Sequence, residues 1–480
     1  MQGDNTLNRS FIKNIAVLMA VNLLVKPAYI FLIDAQVQSR VGENEYGLFF
    51  SIFNYCMLFQ VILDPGIFNY NSQLIAKNPN DASSHFSKIA GAKILLVAIY
   101  AVLVFAFSWP IGFGERHYSL LPGIMCIFIL ISFSQYLRSH FAALGQYHYE
   151  AWYSGLDKFL MVLIIGFMLY INRAINIELF ILGQIAALVL ACLCFIFLLK
   201  GRIQLSVQFS IKELKVIIKK TLPYAFVLLF MTLFTRMDGL MLERLLDDSA
   251  YSAGVYARAY RLLDAANMTG ILFAGLMLPM FAKLMNDTDR LSSLVEEATR
   301  MLFYIALLVC LCCWYYSDEI MDLVYGQNTQ EHYTVFKYLM TGFFAMSLAN
   351  VFGCLFLASE KLKELNRLFV FGIFLNFSLN MLLIPRYGAI GAALTTIATQ
   401  YVVFMGQLLL AFKDFRIKYS IQTLSGMAIL IFFGFVLFKL AALNVSLNWI
   451  VEIIIIMIFM IFLAYLCGFL RLSLFFKRSK

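Results

Sequence analysis

The sequence contains fourteen runs of mostly apolar residues, separated by charged residues or by Gly, Pro and Asn. A helix of about 20 apolar residues is long enough to cross a bilayer. A water-soluble fold has no interior that would bury so many such runs. The sequence therefore predicts an all-α integral membrane protein with about 14 transmembrane helices. The predicted spans are residues 11–33, 46–63, 89–108, 120–144, 151–171, 179–199, 222–242, 254–281, 301–316, 338–358, 365–384, 389–412, 421–441 and 449–470.

The composition excludes the other common classes of protein. Hydrophobic residues make up 62% of the 480 residues and charged residues only 14%, against roughly 45–50% and 25% in soluble domains. Collagens, coiled coils, disordered chains, secreted disulfide scaffolds and nucleic-acid-binding domains all require other compositions. The net charge of +9 therefore needs an explanation other than nucleic acid binding.

The distribution of Lys and Arg supplies that explanation. With the N-terminus in the cytoplasm, about 25 of the 37 basic residues fall on one alternating set of segments between spans. This set includes Lys93, which lies near the start of the predicted third span and is counted with the cytoplasmic segment before it. Short cytoplasmic loops carry such a positive excess, so we expect both termini in the cytoplasm. The opposite set contains only Arg40, Arg116, Arg173, Arg244, Lys337 and Arg386.

Cysteine and histidine placement gives no sign of metal or cofactor chemistry. All nine cysteines lie in apolar stretches, without a CxxC pair, and are typical of small packing residues. The five histidines are scattered, without a metal-binding motif. We predict no metal site, no cofactor and no catalytic residues.

An internal repeat divides the chain. Short acidic loops precede Gly47 and Gly254, and each of these glycines is followed by an apolar and then an aromatic residue. Aligning them gives two pseudo-symmetric six-span lobes of the same topology, related by an axis along the membrane normal. The predicted organisation is an N-lobe at 1–199, a basic cytoplasmic linker at 200–221, a C-lobe at 222–412, and two further spans with a basic cytoplasmic tail at 413–480.

The most specific motif spans residues 376–396, NFSLNMLLIPRYGAIGAALTT. Pro385 ends one helix and Gly388 turns the chain, while Asn376 and Asn380, one turn apart, present their amides on one face. This stretch resembles a signature of the polysaccharide flippases, the O-antigen and capsule translocases of the multidrug/oligosaccharidyl-lipid/polysaccharide superfamily. Residues 41–47 with 64–67, and 237–239 with 254–262, are similar to two further patterns of this family. Members often carry Arg soon after the Asp-x-Gly step at residues 64–66, where this chain has Asn69, Asn71 and Gln73.

The resemblance implies a bacterial inner-membrane carrier that works by alternating access around a central cavity between the lobes. Its implied substrate is an oligosaccharide on undecaprenyl pyrophosphate, moved from the cytoplasmic to the periplasmic leaflet. The two last spans fit members with long lipid substrates. The implied partners are the lipid bilayer and that lipid-linked oligosaccharide, with polymerase and other polysaccharide-assembly proteins left open. We expect a monomer that binds no nucleic acid.

Charged residues at membrane depth are costly and therefore point to function. Lys26 lies about 18 Å along the first span and Arg236 about 21 Å along the seventh, at about 1.5 Å per residue. Because these spans are repeat mates, we expect the two cations to face each other and bind a pyrophosphate. The alternative is that each one neutralises a nearby acid or extends to the membrane surface.

A second group of charges begins the eighth span. Arg258 and Arg261 are candidates for substrate binding together with the amides of Asn376 and Asn380. Asp264, one turn from Arg261, and Asp238 are candidates for ion coupling. An internal ion-pair network that only stabilises the second lobe is an equal alternative.

Three further residues complete the candidate site. Pro27, inside the first apolar run, is the candidate hinge, because a proline within a helix removes a hydrogen bond and bends it. Arg138 and Lys158 are candidates for a site where substrate arrives from the cytoplasm. Two other functions stay open, an ion-coupled multidrug exporter of the same superfamily and a membrane polysaccharide polymerase or ligase. The exporter favours an acidic, aromatic cavity, and the enzyme requires a large outer loop, which this chain lacks.

Overall fold

The computed structural model describes residues 17, 20–68, 71, 75, 82–144, 146–172, 175–200, 204, 206–246, 249–326, 328–359, 361–443 and 448–469. The predicted N-terminal segment 1–10, Asn69, Gln73 and the end of the basic tail lie outside these residues. The helices, in chain order, are α1 (Ala20–Val41), α2 (Glu43–Leu58), α3 (Gln60–Leu63), α4 (Ala82–Ile111), α5 (Glu115–Ala143), α6 (Tyr147–Tyr153), α7 (Leu156–Gly166), α8 (Ile177–Leu199), α9 (Ile211–Leu245), α10 (Ser249–Leu284), α11 (Thr288–Tyr315), α12 (Ser317–Tyr325), α13 (Gln330–Ala358), α14 (Leu362–Phe415), α15 (Ile421–Leu443) and α16 (Trp449–Leu466).

The all-helical membrane fold predicted from the sequence is confirmed. Eleven helices of the described chain are long and apolar enough to cross a membrane. One of them, α14, is bent at Gly388, where φ is 55° and ψ is −133°, and this bend separates the predicted eleventh and twelfth spans. The predicted second and fifth spans are broken into shorter helices, α2 with α3 and α6 with α7. The count of fourteen spans stays a prediction.

Packing divides the chain into two compact units, Met1–Ala257 and Arg258–Lys480. In the first unit α9 packs on α2, and α8 packs on α5 and α7. In the second unit α13 packs on α14 and α11, and α15 packs on α11. The division by packing falls inside α10, whereas the predicted lobes follow the sequence repeat. The lobe boundaries therefore stay a prediction.

Both units turn large apolar side chains outward, as a bilayer requires. Phe197 on α8 is 75% exposed, and on the other face of α8 Phe195 packs into a buried cluster with Phe141 and Tyr136 of α5. A helix that is apolar on all sides fits one face against protein and the other against lipid.

One assignment made from the sequence is wrong. Lys93 is not in a cytoplasmic segment; it lies within α4 and is 1% exposed. Seen in sequence alone, a lysine near the start of an apolar run is counted with the basic segment before it, whereas α4 already begins at Ala82. Helices of the described chain contain Pro110, Pro122, Pro279 and Pro385 as well as Pro27.

Candidate functional site

The first helix changes its winding close to Pro27. Three residues after this proline, Ile30–Asp34 form a π-helical turn within α1. Proline cannot donate a backbone hydrogen bond, and π turns are common where a helix is locally disturbed near functional residues. The Asn22 side chain, one turn before Lys26, donates a hydrogen bond of 2.9 Å to the Ser154 hydroxyl. This bond holds the candidate hinge region of α1 against the start of the fifth predicted span.

Three of the predicted site cations lie in one cluster. Lys26 has Asp157, Arg138 and Lys158 within electrostatic range. Lys158 lies 3.9 Å from Asp157 and 4.7 Å above the Tyr29 ring. Arg138 donates to Glu150 at 2.5 Å. The structure thus joins Lys26 with the two residues predicted for cytoplasmic access, and the facing of Lys26 and Arg236 stays a prediction.

The cluster keeps a positive excess. Its three cations, Lys26, Arg138 and Lys158, exceed the two carboxylates that accompany them in the described chain, those of Asp157 and Glu150. Burial raises the pKa of the Glu150 carboxyl, while the neighbouring Arg138 guanidinium opposes this shift. Such a group attracts an anion, because part of its positive charge has no counter-charge.

Arg138 also lines a polar cavity of about 430 Å³ within the first unit. Gln135 on α5, Gln60 on α3 and Asp64 just after α3 provide its other main polar groups. Apolar side chains complete the wall, among them Leu58, Val61 and Leu228. A concave, largely apolar site with a few convergent polar groups is the usual form of a ligand site.

Lys93 is a residue of this region that sequence reasoning missed. Its ammonium donates to the carbonyls of Leu63 at 3.1 Å and Ser132 at 3.2 Å, and to the Ser132 hydroxyl at 2.5 Å. The Asp64 carboxylate lies 3.8 Å away. Asp64 in turn accepts from the backbone amides of Gly66 and Ile67. Lys93 therefore joins α4 and α5 to the break after α3, at the wall of the polar cavity.

At the end of the first unit predicted to be periplasmic, the two repeat-related loops meet. A Cβ atom on Gly47 would overlap the carbonyl oxygen of Ala250, and one on Gly254 would overlap that of Glu43. The Gln38 amide donates to the Gly254 carbonyl at 3.0 Å. The two glycines aligned by the sequence repeat thus form a close backbone contact between α2 and α10, which we call the glycine seam.

A charged cluster borders the glycine seam. The nearly buried Glu243 carboxylate lies 3.0 Å from His117 and 2.6 Å from Arg244. Arg244 donates to the Gly112 carbonyl at 2.8 Å and lies over the Phe113 ring. These contacts join α9 to the α4–α5 connection. Sequence reasoning did not find them, because the partners are more than 120 residues apart.

Asp238 repeats a pairing found near α1. It is 1% exposed and accepts from the Tyr256 hydroxyl at 3.0 Å. Asp34 is 2% exposed and accepts from the Tyr46 hydroxyl at 2.9 Å. Each pair joins a helix and the next helix around the glycine seam. Arg236, two residues before Asp238, is partly buried on α9.

The second unit holds the other candidates. Arg258 is buried, donates to Asn328 at 2.9 Å and lies over the Tyr325 ring. Arg261 and Asp264 lie 3.9 Å apart on α10, as the spacing predicted. The Asn380 amide donates to Asn376 at 3.0 Å on the buried face of α14.

Within the described part of the chain, no group of three His, Cys, Asp or Glu residues is arranged to hold a metal ion. The nine cysteines, all described, are free thiols. Cys56, Cys192 and Cys354 are buried, as expected for packing residues.

Comparison with known proteins identifies relatives of this chain. The family described as "Polysaccharide biosynthesis protein" matches residues 11–285. The capsular polysaccharide biosynthesis protein CapF of Staphylococcus aureus is 24% identical over 230 residues, which cover 45% of this chain and 57% of CapF. The match thus spans little more than half the length of that curated relative.

Two solved structures show the same fold. The lipid II flippase MurJ, in an inward closed conformation, has a TM-score of 0.67 and 14% identity, with 96% of this chain and 98% of MurJ covered. A multidrug resistance transporter of the MATE family and MOP superfamily, in an inward-facing conformation, has a TM-score of 0.64 and 13% identity, with 83% and 94% covered. At these identities the likeness shows the fold alone.

Proposed function

Because this multi-pass membrane protein belongs to the polysaccharide biosynthesis protein family, we propose that it is a flippase for a lipid-linked oligosaccharide. It moves an undecaprenyl-pyrophosphate-linked unit from the cytoplasmic to the periplasmic leaflet of the bacterial inner membrane, by alternating access, for surface polysaccharide assembly. Both termini lie in the cytoplasm. The names of CapF and MurJ support this substrate class, since they associate relatives and fold neighbours with capsular polysaccharide and lipid II.

The observation that carries the proposal is the positive excess of the Lys26, Arg138 and Lys158 cluster beside the polar cavity. Holding charges at membrane depth costs about 2.5–3.5 kcal/mol each on insertion scales, so their retention needs a reason. A pyrophosphate supplies that reason, because it accepts several charge-assisted hydrogen bonds. Arg138 provides a planar fork for phosphate oxygens, and the lysines act as point charges.

The remaining candidates take secondary roles in this proposal. Arg236, Arg258 and Arg261 contact the substrate later in transport, with Asn376 and Asn380 at the sugar. Asp238 and Asp264 are the candidate groups for coupling to an ion, and Pro27 is the hinge. A multidrug exporter is favoured less, because the polar cavity contains Arg138 rather than a surplus of acids.

The test is restoration of polysaccharide export in a flippase-deficient strain, with membrane abundance measured for each variant. Lys26→Met and Arg138→Gln are expected to lower export at least tenfold at normal abundance, because each removes a phosphate ligand. Lys26→Arg keeps the charge and retains more export than Lys26→Met, as Arg236→Lys does relative to Arg236→Gln. The control is Lys215→Met on the exposed surface of α9.

Normal export by the neutral variants contradicts the phosphate role. A loss of abundance in step with export shows that the cluster is structural, because removing one member of a buried ion pair typically costs about 3–5 kcal/mol of stability.

A further inference from the structure

A second cavity in the first unit, of about 310 Å³, lies between α2, α3, α4 and α9. Phe107 and Ile111 of α4 line it, together with Leu233 and Leu240 of α9. Its lining residues are apolar except at Tyr55, whose hydroxyl is already bonded to the Val104 carbonyl at 2.6 Å. The wall therefore offers no free polar group to a ligand, and hydrocarbon is the occupant that it fits.

This apolar cavity adjoins the polar cavity. Leu58 and Val61 line both of them. On α9, Leu228 and Thr232 face the polar cavity, and their neighbours Leu229 and Leu233 face the apolar one. The two cavities thus adjoin each other at Leu58 and Val61, beside α9. We call the apolar cavity, together with this junction, the α3–α9 slot.

We propose that the α3–α9 slot is the binding site for the polyprenyl chain of the carrier lipid, with the pyrophosphate at Arg138 in the polar cavity. This inference rests on the proposed function and specifies how the substrate is held. The pyrophosphate lies among charges, and the first isoprenoid units leave sideways between α3 and α9 into the apolar cavity. The chain then continues into the bilayer past Phe107, which lines the apolar cavity and is 50% exposed.

The pyrophosphate and the polyprenyl chain of the carrier lipid contribute differently to binding. Lipid tails are as apolar as leucine, so a hydrocarbon chain gains little hydrophobic free energy on leaving them for the slot. Affinity must therefore come from the charged end, where Arg138 and its neighbours bind the pyrophosphate. The slot instead fixes the direction in which the chain leaves. It accordingly selects a polyprenyl chain anchored by its pyrophosphate over the acyl chains of ordinary phospholipids.

A photocrosslinking experiment tests this assignment. The photoreactive residue benzoylphenylalanine replaces Leu233 in the slot or, as a control, Phe197, which is 75% exposed on α8. The full chain is reconstituted in phosphatidylethanolamine and phosphatidylglycerol vesicles with radiolabelled undecaprenyl pyrophosphate. We expect at least fivefold more label at position 233 than at 197, with competition by unlabelled undecaprenyl pyrophosphate but not by undecaprenol. Equal labelling at both positions shows bulk lipid only and overturns the proposal, as does labelling that both competitors reduce alike.

A second experiment separates this inference from the proposed function. Leu233→Trp narrows the slot, and Phe197→Trp adds the same bulk on the lipid side. In the flippase-deficient strain, we expect Leu233→Trp to lower export at least tenfold and Phe197→Trp to leave it unchanged, both at normal abundance. Failure of the unaltered chain to restore export refutes the proposed function. If the unaltered chain restores export and Leu233→Trp also exports normally, the slot alone is refuted. If the abundance of Leu233→Trp falls, the ratio of crosslinked label at position 233 to that at position 197 decides.

Discussion

Replacement of Lys93 by Met tests whether its buried ammonium holds the cavity wall together. Methionine keeps an unbranched stem of similar length but removes the contacts to Leu63, Ser132 and Asp64. Removing one member of a buried ion pair typically costs about 3–5 kcal/mol. The low end applies here, because Asp64 is 12% exposed and keeps two backbone donors. We therefore expect a loss of about 3 kcal/mol.

The double variant Lys93→Met with Asp64→Asn separates charge from packing. It leaves no Asp64 carboxylate without its ammonium partner, and the Leu63 carbonyl still accepts a hydrogen bond from the Ser132 hydroxyl at 3.1 Å. The remaining cost is that of a lost hydrogen bond to the Ser132 carbonyl, about 1–3 kcal/mol. The double variant is therefore expected to be more stable than the single one.

Thermal unfolding of the purified protein in detergent measures the difference. At roughly 2–4 °C per kcal/mol, which applies to domains of about the size of the first unit, Lys93→Met lowers the Tm by about 6–12 °C. Lys215→Met, on an exposed face of α9, changes the same charge and leaves the Tm unchanged. An unaltered Tm for Lys93→Met, or a double variant less stable than the single one, refutes the reasoning.

Three further predictions concern other parts of the first unit and of α10. Gly47→Ala forces the glycine seam apart, so export and Tm are both expected to fall. The control Gly275→Ala changes neither, because its Cβ meets nothing within 4 Å. Equal behaviour of the two variants contradicts the role of the seam. Burial raises the pKa of Glu150, so this carboxylate takes up its proton at a higher pH than an ordinary Glu and then releases Arg138. We therefore expect binding of undecaprenyl pyrophosphate to the vesicle-reconstituted protein to strengthen as the pH falls. Glu150→Gln removes that part of the pH dependence, and an identical pH profile in both proteins contradicts it. Pro27→Ala slows export at unchanged abundance if the bend in α1 is a hinge, and normal export removes that role.

The sequence was sufficient for features that depend on local pattern. The apolar runs predicted the helical membrane fold, and the Pro385–Gly388 step predicted the bend in α14. The spacing of Asn376 and Asn380 predicted one shared face, and their amides do hydrogen-bond on it.

Contacts between distant helices were not accessible in the same way. Nothing near Glu243 in the chain indicates His117 as its partner. Repeat symmetry paired Lys26 with Arg236, and it gave no indication that Asp157 also lies near Lys26. The burial of Lys93 was not accessible from the sequence. A lysine near the start of an apolar run is expected to extend its long side chain to the membrane surface.

The glycine seam determines how this end of the first unit is able to open. Backbone touches backbone there, at Gly47 and Gly254, so no flexible side chain is present that follows a widening gap. Dispersion attraction falls steeply over the first 0.5–1 Å of separation, where roughly a quarter to a half of the well is lost. A partly parted seam is therefore less favourable than either a closed one or one wide enough for water. The glycine seam therefore has two favourable states, closed and fully open, and it opens by a transition between them rather than by gradual widening.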